Sequence, residues 1–373
     1  MSTTFGIEEE FMLLDPASLR PVELGPEAVD DLGGSDSGAV AREFFRSQVE
    51  FATPVCESFA EARAALLGFR RRLGCWAAAA GVVAAGTGTP FRPGPAAMVS
   101  ADERYERIAS DIGGLAGDHQ INGLHVHVGI PDRDAGIRAS NALRPWLPVL
   151  LALSGNSPFW NARETGYDSW RAIHSRRWTT NGIPPRFRDA AEYDRAFEAL
   201  MGIGATSDAG ALNWVVRLSA RFPTVEVRIC DAQLDASSSA ALAAIVRALV
   251  TAGLRGDEPG TLTDQFADAA LWHAARDGVG GMLVHPLSGR LAPAGEVLRA
   301  LHDHIAPALL GGGETCAVER LLERRVSGAQ LQRAARRRGT GALAALYRER
   351  LAGVGDEAPA EPARPPAVKG LPS

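Results

Sequence analysis

No C-x-x-C spacing occurs in the chain, and its four cysteines, Cys56, Cys75, Cys230 and Cys316, are scattered over 373 residues. In a chain of this size that usage suits neither a zinc site nor a disulfide framework, and it fits a reducing, cytoplasmic setting. An excess of basic charge is missing too. The formal net charge is −5, so neither nucleic acid nor an anionic membrane is an expected partner, and small molecules are the default. The N-terminus runs straight into Phe5-Gly6-Ile7-Glu8 without a basic n-region and an apolar h-region, so no secretory signal is expected. The longest apolar stretch, around Ala77 to Ala85, is too short to span a bilayer, and a soluble protein is expected. A G-x-x-x-x-G-K-[ST] phosphate loop, a dinucleotide-binding glycine fingerprint and a fixed-period repeat are all absent. If ATP binds, a sheet surface with metals must hold it.

What is present is a hydrophobic fraction of 46%, enough for a well-buried core. Alternating segments predict strands at about 4–14, 44–53, 122–130 and 212–230. Ala-, Leu- and Arg-rich segments predict helices at 58–80, 101–116, 135–153, 190–202, 236–254 and 263–277. From about Pro293 the pattern is helical, through 293–310, 315–325, 327–338 and 340–351. Few strands, far apart and separated by helices, predict an α+β domain whose sheet gathers distant segments. The domain is read as residues 1–355, with 293–355 its helical C-terminal part and 356–373 a Pro- and Ala-rich tail that cannot offset its ordering entropy by burial. Gly- and Pro-rich stretches at 81–95 and 154–188 interrupt the pattern, and a loop as long as the second is usually functional or mobile. A helical face in the C-terminal part could support a homodimer.

Four strands carry candidate chemistry. In Phe5-Gly6-Ile7-Glu8-Glu9-Glu10-Phe11, the period of two puts Glu8 and Glu10 on one face and Ile7, Glu9 and Phe11 on the other. The plain alternative is a solvated edge, against which the flanking Phe5, Phe11, Met12 and Leu13 argue. In Ser47-Gln48-Val49-Glu50-Phe51, Glu50 lies among apolar neighbours, where a carboxylate needs an arginine partner or a cation. In Asn122-Gly123-Leu124-His125-Val126-His127-Val128-Gly129, His125 and His127 share a face, an arrangement suited to ligating a metal or donating to an oxyanion. The pair needs a further ligand from elsewhere to complete a zinc site. In Thr224-Val225-Glu226-Val227-Arg228-Ile229, Glu226 and Arg228 share a face, either as a salt bridge or as site groups. Arg217 and Arg221 lie just upstream. Together Glu8, Glu10, Glu50, Glu226 and His125 offer ligands that select Mg²⁺ or Mn²⁺, while Arg228, Arg217 and His127 offer donors to phosphate.

At these residues the chain resembles the carboxylate-amine ligases, or glutamate-cysteine ligases type 2, of the glutamine synthetase superfamily. The resemblance rests on Gly6-Phe11, Gln48-Glu50, Gly123-Gly129, Ser157-Trp160, Glu164-Tyr167, Pro223-Arg228 and Val284-Leu287, and covers nearly the whole chain. It implies a glutamine synthetase-like catalytic domain with a curved, mainly antiparallel sheet flanked by helices. It also implies an ATP-dependent ligase that forms an amide through an acyl phosphate, with glutamate and cysteine as the reference carboxylate and amine, and with two or more divalent ions. Glu8 and Glu10 would then face different metals, Glu50 joining one and His125 with Glu226 the other. His127 would lie near the ATP phosphates, Arg228 and Arg217 would act in phosphoryl transfer, Arg221 would add phosphate contact, and Arg171 and Asn122 would touch substrate. Two departures from the family pattern, the run His174–Asn181 and the apolar Val215 where an acidic residue is frequent, bear on substrate identity. A catalytically silent nucleotide-binding paralogue, the same chemistry on another amino-acid or specialised-metabolite pair, and a metal-dependent phosphohydrolase are the competing readings.

Overall fold

The computed structural model of the chain describes residues 3–354 apart from 35–36, 95–97, 258–259, 261 and 325, so the expected tail at 356–373 lies outside the described residues. Its centre is a seven-stranded sheet of β1 (Phe5–Leu14), β2 (Ala39–Arg42), β3 (Gln48–Ala52), β4 (Val83–Ala85), β5 (Gly123–Gly129), β8 (Val216–Leu218) and β9 (Thr224–Asp231). The order is β2-β3-β1-β5-β9-β8, all antiparallel. Met12 pairs with Gln48 on one side and Ala85 on the other, so β4 continues the row that β5 begins beside β1. Two hairpins lie apart from the sheet, β6 (Phe159–Trp160) with β7 (Arg163–Glu164) and β10 (Met282–Val284) with β11 (Leu291–Pro293).

The helices are α1 (Gly25–Leu32), α2 (Phe59–Ala79), α3 (Glu103–Ile112), α4 (Arg133–Leu143), α5 (Leu147–Ser154), α6 (Trp170–Ser175) and α7 (Ala190–Gly202), followed by α8 (Ala236–Leu254) and α9 (Asp264–Asp277). The C-terminal part adds α10 (Ala294–Ile305), α11 (Gly312–Glu323), α12 (Gly328–Arg337) and α13 (Thr340–Leu351). Sequence sets several of their starts. Ser58 accepts from the Glu61 amide to open α2, Asp235 accepts from the Ser238 amide to open α8, and Ser327 with Gln330 forms a capping box on α12.

The α+β reading holds, with several local corrections. The strand expected over 212–230 is a hairpin. Ser219 accepts from the amides of Arg221 and Phe222, and that turn separates β8 from β9. The helix expected over 135–153 is broken into α4 and α5 by a short 3-10 turn at Arg144–Trp146, because Pro145 and Pro148 lack the amide a continuous helix needs. The 81–95 stretch contains β4, and the 154–188 stretch contains a hairpin and α6. The longest apolar segment lies elsewhere than expected. Among the described residues α8, not the Ala77–Ala85 stretch, is long and apolar enough to cross a bilayer, but 89% of its apolar window is buried inside the protein.

One face of the sheet packs on α2 and α8 through Ile7, Phe11, Leu13, Phe51, Val126 and Val227, meeting Phe69 and Leu73 of α2. Burial of such side chains is worth about 1.5–3 kcal/mol each. On the other face, Met12 and Leu14 join Val83, Ala85, Leu343 and Tyr347 in a second apolar cluster beneath α12 and α13. The rest of that face is polar and lies open to a cavity.

Candidate active site

Strand register assembles the site. Residues directly opposite each other in a ladder project to the same face. Here Glu50 sits opposite Glu10, Glu8 opposite His125, and His127 opposite Glu226, which is opposite Arg217. Four segments widely separated in the chain thus place their ionisable side chains in one row. The cavity above them has a volume of about 660 Å³ and is lined by all of these residues together with Glu43, Arg104, Arg171, Arg221 and Arg228.

Three overlapping sets of ligand atoms lie close enough to share a cation: Glu8 with His127 and Glu226, Glu8 with Glu50 and His125, and Glu10 with Glu43 and Glu50. Glu8 is the hinge of the arrangement. It lies 3.1 Å from His125 Nδ1 and 3.3 Å from His127 Nε2. Burial opposes its charge, yet the hydrogen bond with His125 and the close approach of both imidazoles hold its carboxyl below the usual range. Burial together with the neighbouring carboxylates pushes Glu50 well above its ordinary value, and burial with Glu43 pushes Glu10 up to about 8, although Glu10 accepts the Gly123 amide at 2.7 Å. Burial, aided by Arg228, depresses His125 to about 4, which leaves its ring neutral and able to ligate. Such a crowd of carboxylates is costly unless a cation joins it. The donor set fits one. It is oxygen-rich with two imidazoles, and the buried Nε2 of His127 has no hydrogen-bond partner.

The grouping differs in detail from the expectation. His127, rather than His125, shares a set with Glu226, because the ladder puts those two directly opposite. Glu43 is a further member that sequence reasoning missed. It stands between β2 and β3, outside any alternating run, and only the fold returns it to Glu50.

The arginines divide into two kinds. Arg228 pairs with Glu226 and faces the cavity, 3.4 Å from His125 Nδ1. Arg217 donates to both oxygens of Glu226, at 2.8 and 3.0 Å, and to the carbonyls of Ala209, Gly210 and Leu212. Its guanidinium is therefore largely taken up in holding Glu226 and the 209–212 loop. At the mouth of that loop Arg104 donates to Asp208 at 2.8 Å, and both line the cavity. Arg221 is exposed at the rim. Asn122, expected at the substrate, is fully buried beside Gln48 and is not part of the cavity wall, so it serves as a strut.

Arg171 does reach the cavity. It lies on α6 in the long 154–188 segment and donates to the carbonyls of Arg228 at 3.1 Å and Ile229 at 3.2 Å. Gly123 makes room for it, since a Cβ there would stand 2.5 Å from Arg171 Nη2. Below it, a register shift in the β5–β9 ladder changes which residues of β9 face the cavity side, so that Asp231 stands opposite Gly123. Asp231 then accepts from the Asn156 amide, Ser157 Oγ and Ser169 Oγ, at 2.9, 2.7 and 2.8 Å, and ties the long segment to the sheet.

The sequence model of glutamate-cysteine ligase family 2 matches residues 4–349. The chain belongs to this family. Its members are ATP-dependent ligases, and so is this protein, acting on small molecules. A Rhodococcus jostii (strain RHA1) protein with the provisional name glutamate-cysteine ligase 2-1 is 39% identical over 349 residues, covering 91% of this chain and 94% of its own. A Saccharopolyspora erythraea protein with the provisional name glutamate-cysteine ligase 2-2 is 39% identical over 344 residues, covering 89% and 88%. Among solved structures, the fold is similar to a glutamate-cysteine ligase from Francisella tularensis in complex with AMP, with TM-score 0.63, 14% identity, and 94% and 89% of the two chains covered. It is also similar to a bifunctional glutathione synthetase from Pasteurella multocida, with TM-score 0.68 and 15% identity, where 94% of this chain spans about half, 52%, of the other.

Proposed function

We propose that the protein joins a carboxylate to an amine through an acyl phosphate, with glutamate and cysteine as the reference pair. A carboxylate oxygen of the first substrate attacks the γ-phosphorus of ATP and the bond to the β-phosphate oxygen breaks, releasing ADP. The amine then attacks the acyl carbon, an amide bond forms, phosphate leaves, and the amine's proton passes to a base. The reading is supported above all by the convergence of Glu8, Glu10, Glu43, Glu50, Glu226, His125 and His127 around one cavity that Arg228 also faces.

In this reading Glu8, Glu10, Glu43, Glu50, His125, His127 and Glu226 hold Mg²⁺ or Mn²⁺, which when bound neutralises phosphate oxygens. Arg228 donates to the transferred phosphoryl group as charge spreads over its equatorial oxygens. Arg217 fixes the direction of Glu226, and Arg221 meets phosphate at the mouth. Arg171 takes a substrate carboxylate. The setting is the cytoplasm, where ATP is available.

The test is a screen of amino-acid pairs with Mg²⁺ and ATP that reads ADP release and product mass together. Amine-dependent release with an amide product supports the reading. Release without any amine marks a phosphohydrolase, and none under any condition marks a binding role; either outcome ends the ligase proposal in this form.

A further inference from the structure

The cavity is not polar throughout. Where α5, α6 and α9 meet, its wall includes the apolar Leu151, Ala172, Ile173, Leu271, Trp272 and Ala275, beside Ser175 and the Arg176–Asp268 ion pair. Leu151, Leu271 and Ala275 are at most 5% exposed, whereas Trp272, on the rim, is 39% exposed with its ring close to Tyr167. Two of the six are alanines, so the wall leaves space there. This apolar recess shares a single cavity with the carboxylate row, and Arg171 stands between them. Its guanidinium lies against Gly123, whose amide serves Glu10, while its own helix α6 packs on α9.

Arg171 also has an unmet need. Both terminal nitrogens are engaged, but its buried Nε finds no partner, and the residue is 8% exposed. Nη1 also lies 4.0 Å from Asp231, but Arg171 still lines the cavity and presents a positive charge there to a ligand anion. Directly beside it lies an apolar wall, and on its other side lies the row where an activated carboxyl would form. An α-amino acid carries a carboxylate, an amine and a side chain on one tetrahedral carbon, and those three groups match the three surroundings.

We infer that the amine substrate is an α-amino acid with an aliphatic or aromatic side chain, its carboxylate on Arg171 and its side chain in the recess lined by Ile173, Leu271, Trp272 and Ala275. The inference rests on the ligase reading above and replaces its reference amine, cysteine, with an amino acid of larger apolar side chain. The short side chain of cysteine would bury less apolar area on this wall than that of leucine or phenylalanine.

Calorimetric titration of the full chain with Mg²⁺ and a non-hydrolysable ATP analogue tests this directly. L-leucine or L-phenylalanine should bind at least about tenfold more tightly than glycine or L-cysteine, the least that one buried methylene supplies in a fitted pocket. L-leucinamide, which lacks the carboxylate, should lose about tenfold or more against L-leucine. Ile173→Ser, a half-buried position, should weaken L-leucine severalfold without altering the circular dichroism spectrum, and Ala172→Phe, also half-buried, should do so by filling the recess. Equal or tighter binding of glycine or cysteine overturns the inference. If those amines also support ADP release, the ligase reading survives and only the substrate class is wrong. If no amine supports it, the ligase reading falls, and this inference with it.

Discussion

Glu8 and Glu9 are neighbours on one strand, chemically identical and less than four ångströms apart along the backbone, yet the two faces of β1 treat them differently. Glu9 points between α2 and α8, 1% exposed, where Arg70 donates to both its oxygens at 2.7 and 2.9 Å and Ser239 adds a third donor. Arg70 in turn meets the carbonyls of Gln233 and Leu234 at 2.9 Å each. Both charges of this buried pair have their partners supplied by the chain. Glu8 and Glu10 point the other way, into overlapping sets of carboxylates and imidazoles where they meet His125 and His127 rather than an arginine fork. The complete pairing marks structure, and the incomplete pairing marks a place prepared for something that binds.

The comparison breaks most visibly on the paired face. Arg70→Met leaves the buried Glu9 carboxylate without its bidentate donor, and loss of one partner of a buried pair costs about 3–5 kcal/mol. Chemical denaturation should show that loss, while the turnover of the remaining folded protein stays near that of the parent. The reverse pattern is expected at Arg228. Arg228→Ala should lower turnover on the order of a hundred- to a thousandfold, about 3–4 kcal/mol of barrier, with the folded state retained by circular dichroism. If Arg228→Ala left amide formation untouched, its role in phosphoryl transfer would be refuted.

A smaller effect separates the two glutamates themselves. Glu8→Gln should raise the Mg²⁺ concentration needed for half-maximal ADP release by at least about 10–100-fold, the loss seen when even a supporting partner of a metal ligand is removed. Glu9→Gln should alter stability and leave that Mg²⁺ requirement alone. Should both substitutions shift the metal requirement alike, the distinction between the faces is wrong.

The smallest effect is a dependence on pH. Glu10 is raised from 4.5 to about 8 by burial and Glu43, so the folded protein prefers its protonated form. Its contribution to stability is complete below about 4.5 and is lost as pH rises through about 8. Glu50 and Glu43 shift in the same direction. Glu8 and Glu226 are lowered, and their contributions fade only below the ordinary carboxylate range, outside this window. His125 is lowered from 6.5 to about 4, so its contribution instead grows as pH rises through about 6.5. Above that range the carboxylates decide the sign, and the metal-free protein should melt about a degree or two lower at about pH 9 than at about pH 7.5, with added Mg²⁺ restoring more at the higher pH. Scanning calorimetry with and without a chelator measures both. A melting temperature that rises between those two pH values in the absence of metal would contradict the proposed crowding of carboxylates.

Much of this was present in the residues themselves. The alternation in β1, β5 and β9 assigned Glu8, Glu10, His125, His127, Glu226 and Arg228 to common faces, because the side-chain period of a strand is a local property of the backbone. The prolines at 145 and 148 and the turn after Ser219 were legible as residues, yet their breaks in α4–α5 and β8–β9 were not read from the pattern. Other facts belong to tertiary structure alone. Which strand lies beside which decides that His127 meets Glu226, that Glu43 returns to Glu50, and that Arg217 is held by Glu226 and three carbonyls while Arg171 keeps a free Nε. Asn122 and His125 look equally eligible in the sequence, but one became a buried strut and the other a wall of the cavity. Periodicity fixes the face on which a side chain stands. Register between strands, set by packing of the whole chain, fixes what stands next to it.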